Sequence, residues 1–179
     1  ANWWAHGRSP ALASGPWDEW SLLDKCADTS DVGQAPNGTL WVVTSSGISK
    51  RVNGQIELHI PGESDAIAIE PGNARLWSYH QGRVTAYNQQ GVIELQKDLS
   101  LNFAPQFPAQ LLADAHGLWL AGGNNLYRLN RQGQVINSLV RNGQIRALAE
   151  DKRGNLWLAE GEDLRVVDDQ GVDVAQGSV

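Results

Sequence analysis

The chain has 179 residues, 41% of them hydrophobic and 19% charged, with a formal net charge of −6. That length suits one domain that buries a core without help from disulfides or metal. The fourteen Lys and Arg form no block, which argues against nucleic acid, and no apolar run approaches the roughly 18 residues of a membrane helix, which argues against direct insertion. Cys26 is the only cysteine, so neither an intramolecular disulfide nor a multi-cysteine metal site is possible. It reads as a buried or idle thiol. A chain without Met that starts at Ala1 points to processing or to excision from a longer polypeptide, and so hints at export.

Residues 1–29 differ from the rest. Trp3, Trp4, Trp17 and Trp20 are half of the eight tryptophans, while Ser9, Pro10, Ser14, Gly15 and Pro16 interrupt any regular element. An irregular leader is expected, with one short strand near Trp20–Leu23. Its rings are expected to cover the repeat that follows or complete a sheet from the other end of the molecule. An aromatic anchor for another protein is the alternative, because Trp is enriched at binding hot spots. Stacking on sugar rings is a third use.

From residue 30 onwards the chain repeats itself. Leu-Trp occurs at Leu40-Trp41, Leu76-Trp77, Leu118-Trp119 and Leu156-Trp157, with spacings of 36, 42 and 38 residues. Seven residues after each Trp stands an aliphatic residue: Ile48, Val84, Leu126 and Leu164. A glycine follows 14 residues after the Trp at Gly91, Gly133 and Gly171, and 13 after it at Gly54. The copies run over about 30–62, 63–99, 107–142 and 143–179. Each reads as four short strands joined by turns; in the last copy these lie near 145–149, 155–159, 164–167 and 172–175. Asn37-Gly38, Asn53-Gly54 and Asn142-Gly143 are hairpin signals, because both residues take positive φ cheaply. Between the second and third copies, Ser100–Pro108 carries Phe103 and Phe107 with two prolines. It is expected as an enlarged loop, either packed down or offered to a partner.

The second strand of each copy is the most informative. Leu40-Trp-Val-Val43 and Leu156-Trp-Leu-Ala159 are apolar without alternation, so both sheet faces should be covered. Four-stranded units of about 40 residues stacked face to face describe the blades of a β-propeller. The fold expected is therefore all-β, with four four-stranded blades forming either a small ring or part of a larger one. The repeat tryptophans are expected in the core.

The stretch Ile145-Arg-Ala-Leu-Ala-Glu-Asp-Lys-Arg-Gly-Asn-Leu-Trp-Leu-Ala159 resembles the two-component-regulator propeller repeat, in which Asp-x-x-Gly-Asn-Leu-Trp precedes a Gly-rich turn. Pro36–Trp41, Pro71–Trp77 and Asp114–Trp119 resemble it less closely. Similar repeats occur in the virginiamycin B lyase group. The resemblance implies an extracytoplasmic sensor or interaction module in the bacterial periplasm.

Signals of chemistry are sparse. His6, His59, His80 and His116 show no metal-ligand spacing, and no nucleophile elbow, phosphate loop or dinucleotide fingerprint is present. Gln34, Glu70, Asp114 and Glu150 end the first strands at corresponding places, as cappers of their own turns or as an acidic ring. The residues expected to line a central channel are Ile67, Ile69, Gln110, Leu111, Arg146 and Leu148, which offer no acid–histidine cluster. The expectation is a non-enzymatic binding or sensory module with no catalytic residue, cofactor or metal. Its partner is another protein or a second copy, with Trp3, Trp4, Trp17, Trp20, Phe103 and Phe107 as contact candidates. A subunit whose partner completes the ring, and a propeller enzyme of lyase or lactonase type, are the alternatives.

Overall fold

The computed structural model describes residues 30–101, 108–168 and 170–178. The leader tryptophans, Phe103 and Phe107 lie outside these residues. All regular structure within them is β, in four four-stranded antiparallel sheets in chain order. Blade 1 comprises β1 (Asp31–Gln34), β2 (Leu40–Thr44), β3 (Gly47–Val52) and β4 (Gln55–Pro61). Blade 2 comprises β5 (Ala66–Ile69), β6 (Leu76–His80), β7 (Arg83–Tyr87) and β8 (Ile93–Asp98). Blade 3 holds β9 (Gln110–Asp114), β10 (Gly117–Gly122), β11 (Asn125–Asn130) and β12 (Val135–Val140). Blade 4 holds β13 (Ile145–Glu150), β14 (Leu156–Glu160), β15 (Asp163–Val167) and β16 (Asp173–Ser178).

Each blade is a simple meander, and the blades stack through their faces. The first strands come together in sequence, β1 beside β5, β5 beside β9, and β9 beside β13. Cross-strand partners share a face, which fixes what each face offers. The repeat Trp points towards the following blade, while the residues on either side of it point back. Thus Trp41, Val43 and Ile48 of blade 1 pack on Ile67, Ile69 and Leu76 of blade 2. Trp77 and Val84 of blade 2 share a cluster with Leu118, Leu120 and Leu129 of blade 3, and Trp119 and Leu126 of blade 3 meet Ile145, Leu156 and Leu158 of blade 4.

This packing corrects the expected channel lining. Ile67 and Ile69, Leu111 and Leu148 are not channel residues; they lie in the three interblade clusters. First-strand side chains alternate between blade faces, so an aliphatic one there goes to the nearest core.

The packing also explains the recurring glycine. Gly91, Gly133 and Gly171 sit in the turn before the last strand of their blades, at φ of 74°, 70° and 78°. A Cβ on Gly133 would lie 2.8 Å from the Leu95 side chain of blade 2, and one on Gly91 would strike Leu58 of blade 1. One on Gly171 would strike Leu139 of blade 3 more closely still. Among the expected hairpins, Asn53-Gly54 has both residues at positive φ, 49° and 81°. Asn142-Gly143 does not; it joins blades 3 and 4, and the Gly143 N–H donates to Glu160 at 2.9 Å.

Candidate functional site

The family-like motif of blade 4 is a hydrogen-bonded cage around one carboxylate. Asp151 Oδ1 accepts from the backbone N–H of Arg153 and Asn155 at 2.8 and 3.0 Å. Its Oδ2 accepts from Asn155 Nδ2 at 2.8 Å and from Trp157 Nε1 at 3.2 Å. The side-chain bond from Asn155, with the further donors, holds the Asp151 carboxyl well below its ordinary range. The indole is therefore oriented by the turn that precedes it.

Orienting this ring matters because Trp157 is not in the core. Trp41, Trp77 and Trp119 are 1%, 0% and 3% exposed, whereas Trp157 is only partly buried. Burial along β14 alternates, with Leu156, Leu158 and Glu160 buried and Trp157 and Ala159 less so. The expected two-sided burial thus holds for blades 1, 2 and 3 and fails for blade 4. The reason is the stacking rule: a repeat Trp is covered by the next blade, and none of the described strands packs closely over blade 4.

The face left open is apolar. Register places Ala149, Val166 and Ala175 in the row of Trp157, and Ala147 and Leu164 in the row of Ala159. Ala147, Ala149 and Ala175 are exposed, and Leu164 is partly exposed. At the opposite end Val42, Ser49 and Arg51, on the outward face of blade 1, are all buried. The two ends are not alike.

Behind the open face, blade 4 is locked to blade 3 by charge. Arg141 Nη2 lies 2.9 Å from Glu160 and 2.6 Å from Asp173. The Glu160 side chain is 3% exposed and that of Arg141 12%, so the pair is largely desolvated and each ion depends on the other. Arg165 adds contacts to Asp163 at 2.9 Å and Asp173 at 3.3 Å.

The first-strand acids do not form a ring. Asp114 Oδ1 accepts from the N–H of His116 and Gly117 at 2.7 and 2.9 Å, and its Oδ2 pairs with Arg128 at 2.8 Å. Burial pushes its pKa up, but the Arg128 bond and the two backbone donors outweigh that and leave it lowered. Arg128 also stacks 4.8 Å from the centre of Trp119. Glu70 pairs with Arg131 at 2.6 Å and accepts from Asn73. Glu150 is raised, by burial first and then by the Asp114 charge. Asp114 is employed in its own blade, and Glu70 in its own turn and by Arg131 of the next blade. Among the described residues no group of three or more His, Cys, Asp and Glu could hold a metal ion, and no helix is long and apolar enough to cross a membrane.

Residues 134–159 match the two component regulator propeller family. The chain therefore carries the repeat type its Asp151-to-Trp157 motif resembles. No curated protein matches it significantly in sequence. Several solved structures are similar in fold. One is a Bacteroides caccae protein of unknown function, with TM-score 0.67, 14% identity, and 88% of this chain and 63% of that one covered. Virginiamycin B lyase from Staphylococcus aureus aligns with TM-score 0.64 and 15% identity, over 84% of this chain and 55% of the lyase. The Neurospora crassa Pan2 WD40 domain aligns with TM-score 0.65 and 14% identity, over 84% and 50%. At such identities the likeness is one of fold, that of a four-bladed stretch of β-propeller. The chain spans about half to two-thirds of the length of these structures.

Proposed function

We propose that this chain is a non-enzymatic propeller module, sensory or protein-binding, that works outside the cytoplasm in the bacterial periplasm and recruits a protein through the open face of blade 4. The observation that carries the reading is the oriented but partly exposed Trp157 among Ala147, Ala149, Ala159 and Leu164. The same face on the three preceding blades is covered by aliphatic residues of the next blade. A contiguous apolar face of this kind marks an interaction surface, and Trp is enriched among the anchors of such surfaces. A structural subunit whose partner completes the ring uses the same surface and differs only in what the contact is for.

Light scattering across a range of concentrations tests the reading on the chain alone. A discrete dimer or progressive association is expected, and Leu164→Asp should return the chain to a monomer near 19.5 kDa. A concentration-independent monomer for both proteins would overturn it and turn attention to the loops.

A further inference from the structure

Between blades 1 and 2 the stacking leaves a cleft of about 350 Å³, within the range of small-molecule sites. Its origin is a single cross-strand pair. At the position after the repeat Trp, blade 3 has Leu120 opposite Tyr127 and blade 4 has Leu158 opposite Arg165, large pairs that fill the space against the preceding blade. Blade 2 has Ser78 opposite Thr85, with Gln96 completing the row. Ser78 and Thr85 are only 6% and 5% exposed, yet they line the cleft.

The hydrogen-bonding state of that row is one-sided. Gln96 Nε2 donates to Thr85 Oγ1 at 3.3 Å, which leaves the Thr85 hydroxyl hydrogen and the Gln96 carbonyl oxygen without protein partners among the described residues. The Ser78 hydroxyl has none there either. The two hydroxyls and the exposed Gln96 amide therefore keep hydrogen-bonding capacity that a molecule in the cleft can use. The wall opposite is apolar, made by Ile48, Ile60 and Pro61, with Tyr87 at the side. At the rim Arg83 pairs with Asp98 at 2.6 Å and His80 stands 3.2 Å from both Glu63 and Asp65, so acids outnumber bases there and a carboxylate ligand meets repulsion.

The geometry points to a binding site between blades 1 and 2 for a small uncharged carboxamide. Two hydroxyl donors, Ser78 and Thr85, stand beside one carbonyl acceptor, Gln96. They complement an amide that accepts at its oxygen and donates from its nitrogen, with its apolar body against Ile48, Ile60 and Tyr87. A carboxylate of the same shape accepts from the hydroxyls but meets the Gln96 oxygen with a second acceptor, and it loses its hydration on entering. This site is separate from the blade 4 face and stands whether or not that face recruits a partner.

Two-dimensional NMR of the ¹⁵N-labelled chain, titrated with benzamide, benzoate and myo-inositol, tests it. Benzamide is expected to shift the signals of residues 78, 85 and 96 saturably, with benzoate about tenfold weaker. Ser78→Ala should weaken benzamide about fivefold without lowering the melting temperature, since the hydroxyl it removes has no protein partner. Thr85→Val, nearly the same in shape, provides the same comparison if Ser78→Ala does not fold. Unmoved signals with benzamide overturn the proposal. So does equal or tighter binding of benzoate or myo-inositol, or benzamide affinity unchanged in the folded variant.

Discussion

At the residue scale, the four repeat tryptophans share a sequence position and not an environment. Trp77 is fully enclosed, so Trp77→Ala should cost about 3–5 kcal/mol, the usual range for a large core aromatic. Trp157→Ala should cost clearly less, about 1–2 kcal/mol, because less area is withdrawn from water. Urea unfolding of the two variants checks the difference. Nothing in the four Leu-Trp pairs distinguishes them, because burial here is decided by the following blade and no following blade is present in the described residues. The carboxylates show the same division. That Asp114 would cap its turn was legible from its place before His116-Gly117, whereas its bond to Arg128, fourteen residues on, depends on the register of β10 with β11. Because the folded pKa of Asp114 is lowered, its contribution is complete above the unfolded value near about pH 4. That contribution is lost as pH falls through the folded value. Stability measured against pH should therefore drop on the acid side, and Asp114→Asn should flatten that limb. An unchanged limb would assign the acid sensitivity elsewhere. Asp31 and Glu150 are raised by burial and act with the opposite sign.

At the element scale, strands and turns were nearly all readable. In the last copy the expected strands fall within one residue of β13 to β15 at every boundary, while β16 runs three residues further than expected. They are short, and each is bounded by a turn whose Asn, Asp or Gly has a local reason to be there. Asn88, Asn130 and Asp168 each take two backbone N–H groups within their own turns. What the pattern did not convey was which face an apolar side chain would choose on a first strand, so Ile67 and Leu111 were misassigned to a channel. The ion-pair lock between blades 3 and 4 was also invisible, since Arg141, Glu160 and Asp173 come from three separated segments. Arg141→Ala removes the close partner of the buried Glu160, leaving it the Gly143 N–H and an Arg165 3.9 Å away. It should cost about 3 kcal/mol, measurable by urea unfolding, and Glu160→Gln should recover part of that loss in the double variant.

At the scale of the whole molecule, the fold is a row of interfaces more than a set of sheets. Each blade's stability is tied to the next through a cluster of leucines and one Trp, as expected of quasi-one-dimensional repeats. The outward strands contribute little: Ile56, Ile93, Ile136 and Val140 are all more than half exposed. Gly133→Ala offers a direct test of this coupling. The new Cβ would meet Leu95 of the preceding blade at 2.8 Å, at a φ of 70° that alanine disfavours. A loss of about 2 kcal/mol is expected. Truncating Leu95 to Ala in the same protein should relieve the steric part and leave the backbone part. Simple additivity of the two losses would show that blades 2 and 3 do not communicate through this contact.

The glycine in each outer turn also acts as a ruler laid by one repeat on its predecessor. Because Gly91, Gly133 and Gly171 rest on Leu58, Leu95 and Leu139, the length of a blade is checked by a residue belonging to the blade before it. A unit copied or transplanted from the start of one first strand to the start of the next would carry its own glycine but leave behind the leucine it was fitted to. The exchangeable piece of this architecture is therefore the junction: the Trp face of one blade together with the aliphatic face and glycine of the next.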